Sequence, residues 1–107
     1  MTNVLGDKIR ERRKEKRLTL DKLAELTGSS KSYIWELENK NPPRPSAEKL
    51  SKIAEQLGVT IEYLLDTKNE VKAEDAVDAE FYRKYRSLPD ETRKKIRKIT
   101  DMWDDDE

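Results

Sequence analysis

The chain has 107 residues, of which 43% are charged and only 34% hydrophobic, with Lys+Arg and Asp+Glu balanced at 23 each. That apolar inventory supports one compact core plus an appendage, and three glycines are too few for a loop-rich all-β protein. The absence of cysteine and histidine removes disulfides, zinc fingers, thiol nucleophiles and imidazole bases together, so no metal or cofactor is expected. Leu5 and Ile9 stand four apart on a charged background and predict a first helix over about 4–16. Thr19 is placed as the N-cap of a second helix, about 20–27, with Asp21 in its first turn. Leu20, Leu23 and Ala24 form its inner face, and Gly28 ends it in a left-handed conformation. Ile34 and Leu37 mark the inner face of a third helix, about 30–39. Pro42, Pro43 and Pro45 then enforce an extended connector. Ser46 caps a fourth helix, in which Ala47, Leu50, Ile53, Ala54 and Leu57 recur at helical spacing up to Gly58. Thr60 caps a short fifth helix containing Ile61, Leu64 and Leu65.

The polar stretch beyond it, through Asp75, reads as a linker. Two more one-sided patterns come after that linker. Val77, Phe81 and Tyr85 step by four; beyond Ser87-Leu88-Pro89-Asp90, which has the character of a capped start, Ile96, Ile99 and Trp103 form a second stripe. The expected organisation is a five-helix domain over 1–66, a linker over 67–75, and a helical segment over 76–107 that ends in an acidic tail.

The zero net charge conceals an uneven distribution. Residues 1–17 hold seven Lys/Arg against three Asp/Glu, whereas residues 101–107 hold five acids and no base. A phosphate-facing surface is therefore expected near the first end. No apolar run approaches the roughly 20 residues that span a bilayer. The first residues carry charge where a secretion signal needs an apolar stretch, which predicts a cytoplasmic protein with no membrane partner.

Two short helices joined by a tight Gly-containing turn, inside a five-helix all-α domain, are the arrangement that places a helix in the DNA major groove. The text LAELTGSSKSYIWELEN, a proline-bearing loop, then LSKIAEQLGVTIEYLL resembles the Xre family of helix-turn-helix regulators, to which lambda-type phage repressors belong. The resemblance covers residues 5–66. It implies a lambda-repressor-like helix-turn-helix domain and a transcriptional regulator that binds double-stranded DNA; the two apolar stripes beyond it predict a C-terminal helical hairpin.

The resemblance further implies base contacts from Ser30, Lys31, Ser32 and Glu36. Their chemistry suits the role: Lys31 can donate to guanine O6/N7, Glu36 can accept from cytosine N4, and serines pair with several bases. Solvated helix surface is the plain alternative for all four. Trp35 can pack on a sugar–phosphate ridge or a thymine methyl, or lean on a neighbouring helix, while Tyr33 is placed nearer the buried side. Phosphate contacts are expected from helix termini and loops, at the backbone of Leu20 and at Lys22, Asn39, Lys40 and Arg44. Many members of the family carry Gln where this chain has Leu20, so the side-chain part of that contact is missing. Arg13 and Glu38 match an Arg–Glu ion pair that braces the first helix against the recognition helix in related phage repressors.

A hairpin as short as residues 76–103 is not stable alone. Its stripes, Val77, Phe81 and Tyr85 with Ile96, Ile99 and Trp103, must pack on the parent domain or on a second copy. Homodimerisation is the expected use, because helix-turn-helix proteins bind paired half-sites. FYRKYRSLPDETRKKIRKI also resembles the tail of Xre-type repressors controlled by an ImmA/IrrE-type protease, which makes a regulatory protease a second expected partner. The leading expectation is a repressor of a pseudo-palindromic operator. An antitoxin-type autoregulator whose tail binds a toxin, and a protein-interaction adaptor that has lost DNA binding, stand as rivals. Carboxylates alternate with Lys and Arg on helix faces with no nucleophile-and-base set beside them, so no enzyme activity is expected.

Overall fold

The structure, a computed structural model, describes residues 4–104. The end of the acidic tail, residues 105–107, therefore lies outside the described residues. Within them seven helices run in order: α1 Val4–Glu15, α2 Leu20–Thr27, α3 Lys31–Asn39, α4 Ala47–Leu57, α5 Ile61–Leu65, α6 Ala73–Ser87 and α7 Asp90–Asp104. The described residues are thus all-α, as the sequence predicts.

Local chemistry fixes most of the boundaries. Thr19, Ser30, Ser46 and Thr60 are extended and accept, through their side chains, the N–H of Lys22, Tyr33, Lys49 and Tyr63. Gly28 and Gly58 close α2 and α4 at φ of +66° and +68°, where a side chain would be strained. The end of α1 carries no glycine signal. Arg17 takes the left-handed conformation instead, at φ +56°, while the N–H of Leu18 reaches back to the Arg13 carbonyl.

The core is formed by Ile9, Leu23, Ile34, Leu37, Leu50, Ile53, Leu57, Val59 and Leu64, all essentially inaccessible to water, with Ala24, Ala54, Tyr63 and Ala76 at its margins. Around it α2 packs on α3 and α4, and α1 packs on α3, α4 and α5. Helices α2 to α5 carry no basic residue in their last turns. Cations from other helices satisfy their terminal carbonyls instead, where the helix dipole is negative. Arg12 donates to Leu57 O at the end of α4, at 3.0 and 3.3 Å. Buried Lys8 donates to Tyr63 O and Asp66 O at the end of α5, at 2.8 and 2.6 Å. Its ammonium also lies 4.4 Å from the Tyr63 ring centroid.

Asp66 joins the domain to the segment beyond α5. Its carboxylate accepts the N–H of Lys68 and of Val71 and stands 3.8 Å from Lys8 Nζ. The Val71 N–H, together with the weaker effects of the Lys68 N–H and the Lys8 charge, holds this carboxyl below the ordinary aspartate range, against the opposing effect of desolvation. A depressed folded-state value stabilises the fold above the unfolded value and loses that contribution as pH falls through the folded one. Denaturant unfolding between pH 6 and pH 2 is expected to show a component of acid destabilisation that Asp66→Asn removes. Identical pH slopes for the two proteins would contradict this role.

Helix α6 begins at Ala73, inside the stretch 67–75 that the sequence reads as linker. Its first turns are held by tertiary packing: Ala76 is buried in the domain core, with Val71, Ala73 and Val77 packed against that core. Glu80 is also buried there and accepts from Arg83 at 2.6 and 3.0 Å, which keeps its carboxyl below the usual range. Glu80 and Arg83 are the last α6 residues to line a cavity with α4 and α5, and α7 buries no residue. The radius of gyration, 16.0 Å, accordingly exceeds the roughly 13 Å of a compact domain of about this size.

Candidate nucleic-acid interface

Helix α3 is anchored on its inner side by Ile34, Leu37 and Glu38, each at least 97% buried. Its outer side carries Lys31, Ser32, Trp35 and Glu36, all exposed, and these four line one shallow depression. The structure thus brings three of the four expected base-contacting residues onto one open surface. The fourth, Ser30, lies at the helix start, where its Oγ accepts the N–H of Tyr33 at 3.1 Å. The hydroxyl proton of Ser30 is not consumed by that cap, so it retains a donor.

Lys31 Nζ stands 3.7 Å from the Asp21 carboxylate, with both side chains more than 60% exposed. An exposed pair of this kind is worth well under about 1 kcal/mol, so Lys31 can exchange Asp21 for another acceptor at little cost. Trp35 is 42% exposed, and the Lys40 ammonium lies 5.8 Å from its ring centroid. Tyr33 packs against the core, and desolvation raises its phenol pKa.

The expected phosphate-contacting residues are less uniform. Lys22 and Arg44 are exposed, Lys22 facing Glu25 at 3.8 Å and Arg44 lying in the proline connector. Lys40 is exposed at the end of α3. The Leu20 side chain packs against the core, which leaves its backbone at the start of α2. Asn39 is engaged at both ends of its amide: Nδ2 donates to Trp35 O at 2.9 Å, and Oδ1 accepts from Arg10. The second Nδ2 proton is not used by these bonds and can donate to a phosphate.

Arg13 and Glu38 form a two-pronged pair at 2.7 and 3.0 Å, and a further Arg13 nitrogen donates to Leu18 O at 2.9 Å. The sequence reading missed Arg10. It stands 3.5 Å from the Glu38 carboxylate and donates to Glu38 O at 3.2 Å, so two arginines of α1 hold one buried acid of α3. It also missed Lys49, which reaches from α4 to the turn between α2 and α3. Neither contact has a periodic signature, since each joins residues more than 19 positions apart.

Away from this surface, Phe81, Tyr82, Ile99, Met102 and Trp103 are all more than half exposed. Phe81, Tyr82 and Tyr85 of α6 face Ile96 and Arg97 of α7 across a shallow groove, and Arg97 donates to the Tyr85 hydroxyl at 2.6 Å. Val77 does not belong to this exposed set. It packs against the domain core, because the first half of α6 lies on the domain and the second half does not. Among the described residues no cluster of acidic residues could hold a metal ion, and no helix is long and apolar enough to cross a membrane.

A family model described as a helix-turn-helix domain matches residues 6–70. The HTH-type transcriptional regulator SinR of Bacillus subtilis (strain 168) is 35% identical over 83 residues, covering 78% of this chain and 75% of SinR. The structure of SinR, the master regulator for biofilm formation, in complex with DNA aligns at a TM-score of 0.55 and 39% identity, over 58% of this chain and 98% of that one. The SinR–SinI complex aligns at a TM-score of 0.57 and 27% identity, over 96% of this chain and 99% of that one.

Proposed function

The chain belongs to the helix-turn-helix domain family of transcriptional regulators, and on that premise we propose that it binds a pseudo-palindromic DNA operator as a homodimer and represses transcription there. The observation that carries this reading is the outer side of α3. Its polar residues stand exposed on a helix whose inner side is fully anchored, next to the basic residues of the adjoining termini. The reading is supported by a relative, SinR, whose structure has been obtained with DNA.

In this reading Ser30, Lys31, Ser32 and Glu36 face base edges in the major groove. Trp35 packs on the flanking backbone. Lys22, Lys40, Arg44, the Leu20 backbone and Asn39 hold phosphates, Asn39 through its second Nδ2 proton. Residues 1–66 act as the DNA-binding unit, and 67–72 connect it to α6, whose first turns pack on the same core. The hairpin supplies the second half-site by pairing with its copy through Phe81, Tyr85, Ile96, Ile99 and Trp103, while Val77 secures α6 to the domain. SinR is known in complex with the SinI protein, and a protein partner for this chain, at the same exposed stripe, belongs to the same proposal.

Binding measured by fluorescence anisotropy against operator variants tests the assignment. Glu36→Ala is expected to change which base is preferred at one operator position, an effect of about 1–3 kcal/mol, with folding retained. Lys40→Ala is expected to weaken all sequences alike and to reduce the salt slope by about one. An unchanged base preference in Glu36→Ala would remove that residue from the readout.

A further inference from the structure

The turn between α2 and α3 sets how the outer side of α3 is presented, and it contains only Gly28, Ser29 and Ser30. The Schellman closure of α2 uses the N–H of Gly28 and of Ser29 on the carbonyls of Glu25 and Ala24. That leaves the carbonyls of Thr27 and Gly28 beyond the helix ladder. Both accept from Lys49 Nζ, at 3.1 and 3.2 Å, and the same ammonium donates to Ser29 Oγ at 2.8 Å. A lysine ammonium has three protons, and here three acceptors meet them within one turn. The Thr27 hydroxyl completes the cluster, donating to Leu23 O at 2.8 Å and standing 3.2 Å from Ser29 Oγ.

Lys49 is itself held at its base. Its backbone N–H caps onto Ser46 Oγ at 3.1 Å, and its neighbour Leu50 is 97% buried. The ammonium is therefore tied to α4, and α4 to the core. It also supplies the positive charge that the last turn of α2 lacks. We propose that Lys49 is a positioning residue for DNA recognition: by joining α4 to the turn, it sets the angle between α2 and α3 and so the direction in which Lys31, Ser32 and Glu36 enter the groove. The inference rests on the DNA-binding reading above, although its structural half does not.

Lys49→Met keeps the apolar stem and removes all three donors. In the full chain, residual dipolar couplings of the α2 and α3 amides are expected to report a changed angle between the two helices. Operator affinity should fall by about tenfold, the worth of roughly one well-placed base pair, while affinity for unrelated DNA stays within about twofold of wild type. Lys49→Arg, which restores donors at this site, should recover most of the operator affinity. A folded Lys49→Met protein with an unchanged α2–α3 angle overturns the inference. So does an equal loss on operator and unrelated DNA, because Lys49 would then act only as a charge. If Lys49→Met does not fold, Ser29→Ala removes one of the three acceptors and is expected to shift the same couplings to a smaller extent; unchanged couplings there overturn the inference. A wild-type chain that selects no operator sinks the DNA-binding reading alone, and the helix-angle measurement still decides the role of Lys49.

Discussion

Glu38→Ala is expected to destabilise the domain by about 3 kcal/mol, the lower end of the cost of breaking a buried ion pair by removing one partner. The Glu38 side chain is 1% exposed and Arg13 13%, and each has the other as its principal charged partner. Arg10, more open at 36%, can turn towards water when the acid is gone, which is why the lower end applies. Arg13 cannot do so without giving up Leu18 O as well. For a domain of about this size, 3 kcal/mol is a large part of a total of about 5–15 kcal/mol, and it lowers Tm by more than about 10 °C. Urea unfolding of the variant and the wild type measures the difference directly. A loss below about 1 kcal/mol would show that the network is solvated in practice and does not brace α3.

Ile99→Asp is expected to leave the helix-turn-helix domain folded and to abolish the proposed dimer. Helix α7 buries nothing within one chain, and Ile99 is 56% exposed, so an aspartate there costs the monomer little. At the centre of the proposed pairing surface, between Ile96 and Trp103, the same aspartate places a charge where apolar contact is required. Losing the second half-site removes the gain from linked binding, about 100-fold or more in operator affinity. Sedimentation equilibrium and operator titration on the same samples read both effects. A variant that stays dimeric with wild-type affinity would move the pairing surface off the hairpin. A variant that turns monomeric and keeps its affinity would show that one domain suffices for recognition.

The parts of the molecule legible from the sequence are those governed by near neighbours. Thr19, Ser30, Ser46 and Thr60 announce four helix starts, Gly28 and Gly58 announce two ends, and the residues between them repeat at helical spacing. The outward placement of Lys31, Ser32 and Glu36 follows from the inward placement of Ile34 and Leu37, at about 100° per residue. Where the sequence reading stops short, tertiary contact decides. Arg17 ends α1 without a glycine because Leu18 turns in to pack on the core. The start of α6 moves forward to Ala73 because Ala76 finds a place in that core. Val77, Phe81 and Tyr85 look like one stripe in the sequence, yet the helix passes from domain to solvent between the first and the second. Arg10, Lys8, Arg12 and Lys49 are four more charges on polar helix faces until the carbonyls they cap are in view.

Those four cations also explain how a chain so lean in apolar residues keeps one defined arrangement. Arg12, Lys8, Arg10 and Lys49 satisfy carbonyls in or beside the ends of α4, α5, α3 and α2 in turn. Each such bond joins a helix end to a helix elsewhere in the domain. Two of them meet α3 at its two ends, Arg10 on its last turn and Lys49 on the turn before its first residue.

Operator binding is tested by selection of bound sequences from a random double-stranded DNA library, with the full chain at about physiological salt. An inverted repeat whose half-sites lie about one helical turn apart, roughly 10–10.5 base pairs centre to centre, is expected to be enriched. A folded, dimeric chain that enriches no sequence would contradict operator binding.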